Sequence, residues 1–222
     1  MIGTIFSTEL EAGMIIERLE RKENLSIQGK SFHTGILNDT AVTVCICGVG
    51  KANAAHGAAL LIEKFKPDSV YNIGVGGAYP SSGLSIGDVV IAEKEIYGDE
   101  GLLSKDGFHT MDEILSNAIL NEFIMRVPEE LKEFKNKGNF VTVSTCTGTL
   151  EKGREIEKKF NAVCENMEGA AITQICALSG IPVTEIRGIS NIIEDRTAEP
   201  LNKADIIKTA ENVQRFFLET IK

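Results

Sequence analysis

The chain lacks most of the features that announce a simple role. It has no apolar run long enough to span a membrane, and Met1 to Thr8 carries neither the basic segment nor the apolar length of a signal peptide. Positive charge is scarce: 23 Lys and Arg face 32 Asp and Glu, for a net charge of −9. Such a surface repels nucleic acid and anionic membrane, so neither is expected as a partner, although a local site can still take a small anion. Cys45, Cys47, Cys146, Cys164 and Cys176 form no C-x-x-C pair, and most stand in apolar runs where a free thiol acts as a small core residue. That pattern gives no zinc signature and fits a reducing cytoplasm. His33, His56 and His109 show no ligand spacing, and no Ser-His-Asp or Cys-His arrangement is suggested, which leaves glutamates as the better catalytic candidates. No G-x-x-x-x-G-K-[ST] occurs, and Gly48-Val49-Gly50 is followed by Asn53 where a dinucleotide fingerprint needs Gly or Ala. Repeats, low-complexity segments and linkers are also missing.

What is present is an ordinary globular balance of 43% hydrophobic and 25% charged residues over 222 positions. One domain spanning residues 1–222 is expected, with a core that needs no disulfide or metal staple. Ile2 to Phe6 reads as a buried strand, and Thr8 opens a helix with Leu10, Met14, Ile15 and Leu19 at helical spacing. Phe32 to Leu37 and Val42 to Cys47 read as strands joined at Asn38-Asp39. Ala52 to Phe65 reads as a helix stopped by Pro67. Strands are expected at Val70 to Ile73, Ile86 to Ile96, Phe140 to Thr145, Ala162 to Glu165 and Val183 to Ile189. Helices are expected at Met111 to Met125, Glu168 to Ser179 and Lys203 to Ile221, with Pro128 to Asn139 a surface excursion. This alternation predicts an α/β fold: a three-layer sandwich with helices on both faces of a central mixed, largely parallel sheet.

In open sheets of this kind ligands bind beyond the carboxyl ends of the strands. Four groups fall there: Glu9 and Glu11, the glycines Gly74, Gly76 and Gly77, the segment Glu165-Asn166-Met167-Glu168-Gly169, and Ser190-Asn191. Each also has a plainer explanation. Thr8-x-x-Glu11 matches a capping box, a role that coexists with catalysis. Glu168 could complement a helix dipole, Asn191 could serve a turn, and the glycines could serve tight turns. Arg187, inside a strand, reads as a buried ion-pair partner.

Taken in order, Val70-Tyr-Asn-Ile-Gly-Val-Gly-Gly-Ala, Gly87-Asp-Val-Val, Asn166-Met-Glu-Gly-Ala-Ala and Arg187-Gly-Ile-Ser resemble the purine nucleoside phosphorylase/methylthioadenosine nucleosidase superfamily over nearly the whole chain. The resemblance implies a nucleoside phosphorylase/hydrolase-like fold, cleavage of an N-glycosidic bond, a purine nucleoside as substrate, no cofactor or metal, and a homo-oligomer, a dimer first. It assigns activation of water to Glu11 and the ribose hydroxyls to Glu168. It places Met167, Gly77 and Cys146 against the substrate. Asn191 falls where adenosine-specific nucleosidases carry the aspartate that protonates N7. An amide at that place donates to O6 of a 6-oxopurine and accepts from a protonated N7, whereas a carboxylate there repels O6. This asparagine, Ile96-Tyr-Gly-Asp99 and Glu185-Ile-Arg-Gly-Ile-Ser-Asn191 are similar to the futalosine hydrolases, which release hypoxanthine in a menaquinone route. Their substrate has a carboxyphenyl ketone at its 5′ end, for which Lys105, Phe108 and His109 are candidate contacts, with a solvated loop as the plainer assignment. The rivals are a phosphorylase, an adenine-releasing methylthioadenosine/S-adenosylhomocysteine nucleosidase, and a non-catalytic nucleoside-binding protein. Glu9 and Glu11 at the first turn would repel phosphate, which counts against the phosphorylase.

Overall fold

The structure, a computed structural model, describes residues 1–115, 120–197 and 201–220. In chain order its elements are β1 (Ile2–Phe6), α1 (Glu9–Arg18), β2 (Glu20–Ile27), β3 (Lys30–Leu37), β4 (Thr40–Ile46), α2 (Lys51–Phe65) and β5 (Ser69–Ala78). There follow β6 (Val89–Tyr97), β7 (Gly101–Ser104), β8 (Gly107–Thr110), α3 (Met111–Leu115), β9 (Glu122–Ile124) and a 3-10 turn at Glu129–Leu131. The chain continues through β10 (Lys137–Thr142), α4 (Leu150–Phe160), β11 (Ala162–Asn166), α5 (Gly169–Leu178), β12 (Val183–Ile192) and α6 (Lys203–Thr220). Ile221, assigned to the last helix from sequence, lies outside the described residues.

The main sheet runs β11-β10-β6-β12-β5-β1-β4-β3-β2, with β9 added against β6. β1, β4, β5 and β12 run parallel; β6, β10 and β11 also run parallel to one another, and the two sets meet antiparallel at β12–β6. β11 pairs antiparallel with β5 as well, so β5, β12, β6, β10 and β11 close into a ring. The mixed α/β sandwich expected from the sequence is the fold observed. α2 and α5 cover one face, where Ala54, Ala58, Leu61, Ile172 and Cys176 pack on Ile5, Cys45 and Val70. α1 and α6 cover the other, where Ala12, Ile15, Val213 and Phe217 pack on Phe6, Tyr71, Ile73 and Ile186. Strands buried on both faces are largely apolar, which is why Ile2–Phe6 and Val70–Ile73 are legible without alternation.

Several expectations need correcting. Met111 to Met125 is not one helix: α3 ends at Leu115 and β9 forms at Glu122–Ile124. Ile114, Leu115 and Leu120 are exposed, so the apolar spacing there has no surface to pack on, and edge pairing with β6 wins. β2 was missed because its residues Glu20-Arg21-Lys22-Glu23-Asn24 are polar and exposed; it is held by pairing with β3 through a turn at Gln28-Gly29, both at positive φ. α4 was also missed, although Thr149 caps its start by accepting from Lys152 N and Asn161 ends it in the left-handed region. The polar excursion at Pro128 to Asn139 is anchored, with Leu131 buried and Phe134 against Phe216 at 5.0 Å.

Gly188 is where β12 lets α6 approach: a Cβ there would stand 2.5 Å from Thr209 Cγ2 and 3.0 Å from its backbone oxygen. Overpacking of this kind typically costs ~1–3 kcal/mol. We expect Gly188→Ala to lower the thermal unfolding midpoint by several degrees, read by circular dichroism; an unchanged midpoint would show that α6 is not held tightly on β12.

Candidate active site

The C-terminal ends of β1, β5, β11 and β12 meet around a cavity of about 320 Å³. Glu11, Gly77, Cys146, Met167, Glu168 and Asn191, all singled out in the sequence, line it together. They come from the start of α1, the end of β5, the loop before α4, the β11–α5 junction and the end of β12.

Glu11 is 5% exposed, and both of its carboxylate oxygens accept hydrogen bonds. Thr8 donates to Oε2 from both its backbone N (3.0 Å) and its Oγ1 (2.8 Å), and Val75 N donates to Oε1 (3.0 Å). The capping geometry is therefore real, yet the same carboxyl group faces the cavity. Burial pushes the Glu11 carboxyl above its ordinary range; the Val75 amide, the Arg187 guanidinium and Thr8 pull it back, and Glu168 adds to the rise. Glu168 accepts from Gly50 N at 2.9 Å, and its Oε2 lies 3.6 Å from the Arg187 guanidinium. The Gly48–Gly50 turn thus binds a carboxylate of the chain itself rather than a dinucleotide phosphate. Asn166 Oδ1 takes the free amides of Glu168 (2.9 Å) and Gly169 (2.7 Å), so the α5 terminus is capped without the Glu168 side chain.

Arg187 is 1% exposed and is the buried ion-pair partner that its strand position suggested. Its Nε donates to Glu185 at 2.8 Å and its Nη1 to Val75 O at 3.2 Å. Gly74 makes this approach possible: a Cβ there would lie 2.6 Å from Arg187 Nη1 and 2.7 Å from Glu11 Oε1.

At the other end, β12 shifts register between Ile189 and Asn191, which leaves Ser190 as an extra residue and sets Asn191 opposite Gly77. A bulge of this kind re-aims a side chain. Ser190 Oγ donates to Asn191 Oδ1 at 3.0 Å and also lies 3.2 Å from Gly76 O. Cys146 contacts Met167 sulfur to sulfur at 3.6 Å; partial burial and the carboxylates of Glu165 and Glu168 hold its thiol up, so it offers contact rather than a nucleophile.

Sequence reasoning missed two charged residues on this wall, Glu165 and Arg196. Glu165 had been grouped with its neighbours but given no task, and Arg196 lies beyond the quoted motifs. Among the described lining residues Arg196 is the sole cation, which leaves little to neutralise a phosphate beside Glu11. Lys105, Phe108 and His109 do not line the cavity. They sit on the β7–β8 hairpin, where Ser104 bonds His109 at 3.2 Å; Phe108 faces a neighbouring cleft that shares Val143, Cys146 and Thr147. Leu10, Val49, Leu201 and Ile206 form the apolar wall instead. Among the described residues no group of three or more His, Cys, Asp or Glu is arranged for a metal, and no helix is long and apolar enough to cross a membrane.

Residues 2–222 match the phosphorylase superfamily. This chain belongs to the phosphorylase superfamily. A 5′-methylthioadenosine/S-adenosylhomocysteine nucleosidase from Maridesulfovibrio salexigens is 30% identical over 236 residues, covering 100% of this chain and 98% of the relative. The nucleosidase of that name from Staphylococcus aureus is 32% identical over 86% of each chain. The Streptococcus pneumoniae enzyme solved in complex with 8-aminoadenine superposes with a TM-score of 0.85 at 25% identity, over 98% of this chain and 96% of that one. The Colwellia psychrerythraea nucleosidase in complex with adenine gives 0.82 at 25% identity, over 98% and 92%. The superfamily member described here is an N-glycosidase of the nucleosidase type.

If Glu11 takes a proton from water, as the resemblance implies, two outcomes are expected. Glu11→Gln keeps the shape and removes the base, so kcat should fall by ~10²–10⁴-fold in a base-release assay with the fold intact by circular dichroism. A base must be ionised, and the carboxyl is raised above 4.5, so kcat/KM should fall on acidification at a pH above the ordinary glutamate range. A pH profile flat down to that range, or one whose acid limb survives in Glu11→Gln, would remove Glu11 from this role.

Proposed function

We propose that the chain hydrolyses the N-glycosidic bond of a purine nucleoside with an extended 5′ substituent, and that the base released is a 6-oxopurine, as in futalosine. Asn191 carries the choice of base. An amide turned either way can pair with a purine edge: with N6–H and N7 of adenine, or with O6 and a protonated N7 of hypoxanthine. Chemistry separates the two. Adenine departs readily only when a proton is given to N7, and an amide has none to give. N7 of a departing 6-oxopurine takes its proton from solvent; the amide carbonyl accepts that N7–H while the amide N–H stabilises the charge that spreads onto O6. The Ser190 hydroxyl on Asn191 Oδ1 favours the orientation that turns Nδ2 toward the base.

In this mechanism the C1′–N9 bond lengthens and the ribose gains oxocarbenium character. Glu168 holds the ribose hydroxyls and sets its charge near the developing cation. Glu11 takes a proton from the water whose oxygen bonds to C1′. Met167 packs on the sugar, with Gly77 and Cys146 beside it, and Leu10, Val49 and Ile206 receive the 5′ group. We place the enzyme in the cytoplasm, where its free cysteines stay reduced, and treat the whole chain as one domain acting in a homodimer.

The relatives support a second reading, and kinship supports it better than it supports futalosine. The curated relatives bear the name 5′-methylthioadenosine/S-adenosylhomocysteine nucleosidase, and two solved ones hold adenine or 8-aminoadenine. On that reading the chain releases adenine and Asn191 turns its carbonyl to N6.

One panel separates them: futalosine, inosine, adenosine, methylthioadenosine and S-adenosylhomocysteine, each with and without phosphate, with free base and sugar measured by liquid chromatography. We expect phosphate-independent release of hypoxanthine with adenine nucleosides at least about 10-fold slower, the scale of one mispaired buried polar edge. Asn191→Asp should narrow or reverse that ratio. Faster adenine release by the wild type selects the second reading. Phosphate-dependent formation of ribose 1-phosphate would defeat hydrolysis altogether.

A further inference from the structure

Glu165 is a carboxyl group on the cavity wall that the mechanism above leaves without a task. It lies near the end of β11, 5% exposed, and is paired across the sheet with Gly77 of β5. A Cβ on Gly77 would stand 2.9 Å from Asn191 Nδ2 and 3.4 Å from Glu165 Cγ, so the amide and the carboxyl-bearing chain border the same point of the wall.

The surroundings of Glu165 are built to keep it an acceptor. Thr147 N donates to Oε1 at 2.8 Å, Thr147 Oγ1 donates to Oε2 at 2.6 Å, and Tyr79 Oη donates to Oε2 at 3.3 Å. Burial raises the Glu165 carboxyl, while these donors and the charge of Arg196 draw it back toward the ionised form. Each carboxylate oxygen has about two acceptor directions. Among the described residues Oε2 is filled and Oε1 has one direction left. A buried carboxylate is costly to desolvate, and the structure holds this one in position on the cavity wall.

We propose that Glu165 is a second base-specificity residue, its carboxylate accepting N1–H of a 6-oxopurine while Asn191 holds O6 and N7. The three consecutive positions N1–H, O6 and N7 of the leaving base then meet an acceptor and the two ends of an amide. Adenine has a bare nitrogen at N1, which would face the carboxylate as acceptor against acceptor. This inference rests on the 6-oxopurine reading above, and it adds a group that the choice of Asn191 alone does not supply.

The test uses binding of free bases, which avoids any requirement for a particular 5′ group. Hypoxanthine, 1-methylhypoxanthine and adenine are titrated calorimetrically into the wild type, Glu165→Gln and Glu165→Val. The wild type should bind hypoxanthine at least about 10-fold more tightly than its N1-methyl form, which keeps O6 and N7 but lacks the donor. Glu165→Gln should weaken hypoxanthine about 10-fold and strengthen adenine, because its amide can donate to N1. Glu165→Val should abolish the penalty for N1 methylation. A wild type that prefers hypoxanthine to adenine yet ignores N1 methylation, or a Glu165→Gln that weakens every base equally, overturns the role of Glu165 and leaves the base reading standing. A wild type that prefers adenine, or that binds no hypoxanthine, overturns both. The N1-methyl group also adds bulk, so the gain in adenine binding by Glu165→Gln, which steric exclusion cannot produce, decides the matter, and Glu165→Val is the second variant should Glu165→Gln not fold.

Discussion

The site is organised around one buried cation. The Arg187 guanidinium is 1% exposed and touches Glu185, the Val75 carbonyl, Asn166 and the edge of Glu168. A guanidinium presents donors in a fixed planar fork, so it positions several acceptors at once. Here those acceptors belong to β5, to the β11–α5 junction and to β12 itself. Removing such a partner leaves uncompensated buried charge, which is why a cluster like this tolerates little change. One cation does not neutralise all the carboxyl groups nearby. Burial and the neighbouring Glu185 push Glu95 well above the carboxylate range, and burial pushes Glu185 up too. Of the three carboxyl groups that reach the cavity, Glu11 and Glu168 lie beside the guanidinium and accept from backbone amides, while Glu165 is held by Thr147 and Tyr79.

Space is the second constraint. β5 carries glycine where Arg187 and Glu11 must approach its backbone, and again where Asn191 does. The sequence places the glycine cluster beyond a strand end, where a ligand is expected. Gly76 and Gly77 do line the cavity, but Gly74 admits protein side chains instead. The closing of β11 onto β5 adds a further demand, since it presses Cys164 and Glu165 against the same stretch. The ring of strands and the cavity are therefore one arrangement: the pairing that closes the ring also puts Glu165 opposite Gly77.

The polar and apolar parts of the cavity divide the substrate. Carboxylates held by Thr8, Val75 and Gly50 lie together, while Asn191 and Glu165 meet at Gly77. Leu10, Val49, Leu201 and Ile206 supply apolar surface with no fixed hydrogen-bond pattern. A site with fixed polar groups rejects an edge that leaves them unpaired, whereas an apolar wall discriminates weakly between groups of similar size. Sites of this build can thus differ in base through one or two residues. That is the physical reason kinship with 5′-methylthioadenosine/S-adenosylhomocysteine nucleosidases and an amide at position 191 can point in different directions.

Much of this was legible in the linear chain. Apolar strands, capped helices and their alternation determine the α/β sandwich, because burial on both faces leaves its mark on composition residue by residue. Glu11, Met167, Glu168 and Asn191 stood out because they follow strands, where open sheets leave room for ligands. What misled was local pattern without a partner surface: Ile114, Leu115 and Leu120 keep helical spacing but are exposed, and β2 opens with five polar residues yet is held by its neighbour. Three things only the tertiary structure decided. The bulge at Ser190 turns Asn191 toward Gly77, the antiparallel join of β11 to β5 brings Glu165 to the wall, and the loop after β12 adds Arg196. Each depends on contacts between segments far apart in the chain, and hydrogen-bond register across a sheet is set by the partner strand as well as by the strand itself.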